Sequence, residues 1–126
     1  MTALLVLNTD GSTGEYERFP SVGQLQGAHA LLGPNLTLHA PRIDRTLTLW
    51  TGNEHPSRQP LNRLAWLVYG TAKIHGDAVI GREDGTLMTG GQVETIMALA
   101  RTLETYGWDR AVALGRRYIE QDARRG

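Results

Sequence analysis

The residues of this chain whose types and spacing could do chemistry are its four histidines, its few serines and one group of carboxylates; it contains no cysteine. That absence excludes a thiolate nucleophile, a thiolate metal site and a disulfide framework. His29, His39, His55 and His75 are dispersed, with no two inside one helical turn. Metal motifs place their ligands close together, often on one helix face. No metal and no cofactor are therefore expected. Asp77, Glu83 and Asp84 surround one short apolar run. A magnesium nuclease of the hairpin type would want a lysine shortly after such acids. Arg82 is a poor substitute, because a guanidinium does not give up its proton. Asp77 reads better as a group at a strand start, and Glu83-Asp84-Gly85 as a turn. The catalytic candidates that survive are Asp77 with His75 or His55, in a hydrolase acting on a phosphate or nucleotide.

Two further patterns resolve toward structure. Gly11-Ser12-Thr13-Gly14 follows an apolar strand, where phosphate loops occur. The alternation from Glu15 to Phe19 predicts a strand next rather than the helix that such a loop needs, so the segment reads as a turn. Ser12, Ser21 and Ser57 are the serines, and none lies in a Gly-x-Ser-x-Gly elbow. Arg116, Arg117, Arg124 and Arg125 form a small basic cluster, with Glu120 and Asp122 interleaved and Tyr118 the nearby aromatic. A solvated helix face explains them best; weak nucleic-acid binding is the alternative.

Composition narrows the partners. The 126 residues carry 13 basic and 13 acidic side chains, so no global field draws the chain to nucleic acid or membrane. Lys73 is the single lysine; arginine supplies the other basic side chains. The apolar run Ala3 to Leu7 lacks a basic region before it and a cleavage-type segment after it, so it reads as a strand rather than a signal peptide. No apolar run approaches membrane-spanning length. A cytoplasmic protein is expected, with an unknown protein or small ligand as partner, no membrane partner, and either a monomer or a homodimer.

The elements that position these residues follow from local pattern. Ala3 to Asn8 predicts an interior strand, paired as a hairpin with Glu15 to Phe19. Ser21 and Gln24 form a capping box for a helix that ends at Gly33-Pro34. Leu36 to Ala40 and Leu47 to Trp50 alternate and predict a second hairpin. Thr51 to Gln59 has no periodicity and predicts a surface loop. Asn62 caps a helix carrying Leu61, Leu64, Ala65 and Val68, and Gly70 ends it. Ala78-Val79-Ile80 predicts a short strand covered on both faces. Thr86 to Met88 suits a brief return strand. Thr89 and Gln92 form a second capping box, Gly107 stops that helix, and Asp109 caps a last one. Gly115 in the apolar stripe of that last helix predicts close helix packing. The pattern is α+β: a single mixed or mainly antiparallel sheet of about five strands with helices on it. It forms one domain over 1–126, divided into an α/β core over 1–85 and a helical addition over 86–126.

One combination of marks resembles a known family. Pro60-Leu61-Asn62 with Ala65 and Tyr69, followed by Ile74-His75-Gly76-Asp77-Ala78-Val79-Ile80, is similar to the domain of unknown function 3846 of phages, plasmids and bacteria, over roughly residues 1–85. The resemblance implies a phage or mobile-element origin but no activity and no catalytic residues. It singles out Asn62, Gly76 and Asp77 as recurrent marks. The leading expectation is an accessory protein that binds a protein or ligand without catalysis. Asn62, Asp77 and Trp50 are its candidate binding residues.

Overall fold

A computed structural model describes residues 2–16, 36–39, 46–52, 59–70, 73–82 and 86–125, with the backbone alone described at 36–39, 52 and 118–125. Five strands, β1 (Leu4–Leu7), β2 (Thr13–Tyr16), β3 (Leu36–His39), β4 (Leu47–Gly52) and β5 (Ala78–Arg82), form one sheet in the order β2-β1-β5-β4-β3. Every neighbouring pair in it is antiparallel. Among the described residues three helices accompany it: α1 (Arg63–Tyr69), α2 (Gly90–Tyr106) and α3 (Trp108–Arg125). The class is α+β.

The helix signals act as local rules predict. The Asn62 side chain accepts from the Ala65 N–H, and Gly70 leaves α1 in the left-handed region at φ 93°. Thr89 and Gln92 bond reciprocally at the start of α2. The Gln92 amide also donates to the Thr46 hydroxyl just before β4 at 2.7 Å.

Several boundaries differ from expectation. β2 begins at Thr13 rather than Glu15, because the turn Asn8–Ser12 closes early: the Asn8 N–H donates to the Ser12 carbonyl and Leu7 then pairs with Thr13. β4 runs on to Gly52, with Thr51 paired to Ala78 and Thr37. The proposed strand at Thr86–Met88 reduces to a single bridge between Met88 and Thr2. α3 starts at Trp108, which places Asp109 in its first turn, where a carboxylate suits the helix dipole, rather than at its cap. The predicted helix after Ser21, the turn Glu83-Asp84-Gly85, His29 and His55 lie outside the described residues.

The core lies between the sheet and the helices. Leu5, Leu7, Leu49, Ala78 and Ile80 on one sheet face join Leu64 and Val68 of α1 and Ile96 and Leu99 of α2 in one buried cluster. The C-terminal helices thus share the sheet's core. α3 lies across α1 and α2: a methyl added at Gly115 would sit 3.7 Å from Leu99 Cδ2 and 3.9 Å from the Leu67 carbonyl. The second sheet face is also withdrawn from water, with Leu4, Val79 and Trp50 buried. That is why β1 and β5 read as continuous apolar runs instead of alternating.

Gly81 makes this second face possible. A Cβ there would lie 2.8 Å from Leu4 Cδ2, 3.3 Å from the Ala3 carbonyl and 3.4 Å from the Trp50 ring. Gly81→Ala should therefore cost about 1–3 kcal/mol through overpacking. Chemical denaturation of Gly81→Ala, Leu4→Ala and the double variant checks this. The double variant should lose less than the sum of the singles, because the smaller residue at position 4 admits the new methyl.

Candidate functional site

Asn62, His75, Gly76 and Asp77, four of the residues singled out by the sequence, meet at one junction, where β1 ends, α1 begins and the chain enters β5. Asn62 is its centre and is fully buried. Its amide donates to the Leu7 and Gly76 carbonyls, each at 2.9 Å, and its oxygen accepts from the Ala65 N–H at 3.0 Å. Its backbone N–H donates to the Ile74 carbonyl at 2.7 Å. Gly76 takes φ 79°, and its N–H donates to the Pro60 carbonyl. Asn62 therefore presents nothing to a ligand. It is a latch joining three segments.

His75 and Asp77 flank Gly76 and serve separate backbone groups. The half-buried His75 places Nδ1 3.2 Å from the Gln59 carbonyl. The exposed Asp77 accepts the Thr9 N–H at 3.0 Å, tying the β1–β2 turn to the start of β5. Trp50, the third candidate binding residue, lies apart from this junction. It is 2 % exposed, inside the second sheet face, because Gly81 leaves room for its ring. Its indole N–H has no partner among the described residues. Among the described residues, no three histidines or carboxylates gather closely enough to hold a metal ion. Arg116 and Arg117 are exposed on α3, and the backbone of Arg124 and Arg125 forms its last turn.

Next to the junction the structure opens a cleft of about 550 Å³, bounded by the β1–β2 turn, the start of α1 and the second half of α2. Leu61, Leu64, Ala100 and Leu103 form its apolar wall; Asp10, Arg63 and Glu104 supply charges at its rim. The turn's shape is set by Gly11 at φ 89° and by Asp10, whose carboxylate accepts from the Ser12 hydroxyl at 2.6 Å and the Ser12 N–H at 2.9 Å. These bonds, the hydroxyl's first, hold the exposed Asp10 carboxyl below its ordinary range. The cleft can seat an apolar body and fix a polar or cationic end.

A second, shallower groove of about 300 Å³ runs between α1 and α3. Trp66 and Trp108, both half-buried, pack there with ring centroids 4.5 Å apart and planes tilted by 41°. Lys73 places Nζ 5.6 Å from the Trp66 centroid. Spacing along the chain could not reveal either depression, since each is assembled from segments far apart in sequence.

Two outcomes follow. Asn62→Ala strands two carbonyls and one N–H in the interior and should cost on the order of 3–5 kcal/mol. Urea denaturation measures this. A loss below about 1 kcal/mol would show that the latch is dispensable. Ser12→Ala should raise the Asp10 pKa toward the ordinary carboxylate value, read by carbon-detected NMR titration. Because the folded pKa is depressed, the Asp10 contribution to the turn is present above the unfolded pKa and lost as pH falls through the folded one. The variant should weaken that pH dependence, the Ser12 N–H bond remaining.

No protein-family model matches this chain, and no curated protein or solved structure shows significant similarity to it.

Proposed function

We propose that the chain is a small cytoplasmic accessory protein that acts by binding a ligand or a protein segment, without catalysis, in the cleft between the β1–β2 turn, α1 and α2. The observation that carries this reading is how the polar groups are divided. Asn62, His75 and Asp77, the side chains best suited to chemistry, are each engaged with backbone groups of the junction. The cleft beside them instead pairs an apolar wall with an ionic rim, the composition of a recognition site. Two rim carboxylates, Asp10 and Glu104, against the single Arg63 favour an occupant with an apolar body and a cationic end. No helix among the described residues is long and apolar enough to cross a membrane. The resemblance to the domain of unknown function 3846 adds a phage or mobile-element origin to the proposal.

Affinity capture from the native host, with bound small molecules and proteins analysed together, tests this. The wild type should retain one species that Ala100→Trp, which fills the cleft, releases while melting cooperatively. Equal retention by both would place binding elsewhere. Turnover of a phosphate ester that Asp77→Asn abolishes would replace the proposal with a hydrolase.

A further inference from the structure

We infer that the groove between α1 and α3 is a stacking site for single-stranded nucleic acid, with bases against the Trp66–Trp108 pair and phosphates on Lys73 and Arg116. Two half-buried tryptophans in contact form a fixed aromatic platform: their bodies are anchored in the fold while part of each ring faces the groove. Two cations accompany it. Lys73 lies over Trp66 and is otherwise exposed; Arg116 is exposed and borders the groove. Tracking a backbone with cations while bases stack on aromatic rings is how single strands are held without sequence preference. Arg116 alone reads as a solvated helix charge. Trp66, Trp108 and Lys73 come beside it only through the packing of α3 on α1.

The charge and chemistry of the lining select this occupant. Among the described residues no carboxylate lines the groove, and Asp109, next to Trp108 in sequence, is not part of the lining. Apart from Arg116, the described lining side chains are indole or aliphatic, Leu67 and Val112 joining the tryptophans, with glycines at Gly70 and Gly115. None of the described lining side chains offers an amide, hydroxyl or carboxylate to read the edge of a base, which a specific mononucleotide pocket needs. A duplex hides its base faces, so an aromatic platform has nothing there to stack on. The groove shares no lining residue with the cleft of the proposed function, so the two readings stand or fall separately.

Fluorescence anisotropy of a labelled oligothymidylate, titrated with the full chain at low ionic strength, is the test. Saturable binding that weakens with salt is expected. Trp108→Ala should weaken it roughly ten-fold or more. Lys73→Ala and Arg116→Ala should each reduce the salt slope by about 0.7. Because Lys73 and Arg116 are exposed, these two variants keep the test decisive if Trp108→Ala fails to fold. The inference is overturned by absence of binding, by unchanged affinity and salt slope in the variants, or by thymidine monophosphate binding as tightly as the oligonucleotide. It is equally overturned if sedimentation shows a dimer that Arg116→Glu dissolves, since a second copy would then cover the groove.

Discussion

The amide of Asn62 is the interaction on which the rest of this molecule depends. A helix cap ordinarily uses one side-chain acceptor, and its remaining hydrogen-bonding capacity goes to water. Here the cap lies wholly inside the protein, so its two N–H donors also require partners. They find them at the end of β1 and at Gly76, just before β5. One side chain thereby sets the position of a helix start against two strands that are adjacent in the sheet but far apart in the chain. Replacing it by an apolar residue would leave orphaned groups in a region water cannot reach, where each such group is costly. Asp77 and the backbone of Gly76 extend the same junction outward, holding the β1–β2 turn and Pro60.

That junction determines where binding surfaces can form. The turn held by Asp77 forms one wall of the cleft, and the start of α1 fixed by Asn62 forms another. The far side of α1, carrying Trp66, meets α3 and closes the second groove. Both depressions are thus products of how one short helix is seated. Its buried face, Leu64, Ala65, Leu67 and Val68, holds it in place, and its flanks are left to line the two openings.

Much of the fold was readable from residue type alone, and the reasons are local. The Asn62 and Thr89 caps, the Gly70 exit and the box partner Gln92 are effects of neighbours within a single turn, so the sequence displays them directly. The buried strands β1 and β5 announced themselves as unbroken apolar runs. What escaped was decided at longer range. The sequence marks Asn62 as a cap but not as a latch, because Leu7 and Gly76 become its partners only in the folded chain. Trp50 reads as the end of an alternating strand; the missing side chain at Gly81, on the neighbouring strand, leaves room for its ring inside the second sheet face. The start of β2 was misplaced because the turn Asn8–Ser12 is tightened by a side-chain bond that periodicity does not register. Trp66 and Trp108 each looked unremarkable alone, and their pairing exists only through helix packing.

The strand order carries a consequence for biosynthesis. β5 sits in the middle of the sheet although the ribosome makes it last of the five. Until it emerges, the polypeptide holds a β1–β2 ribbon and a β3–β4 ribbon with nothing between them, and isolated two-stranded ribbons are marginal in water. The sheet is completed late, by a segment that inserts between two waiting edges and zips both at once. Contacts of that kind join distant parts of the chain and slow the search for the native arrangement. A nascent chain stalled before residue 78 would therefore expose two open edges, the form in which such a protein most needs a chaperone.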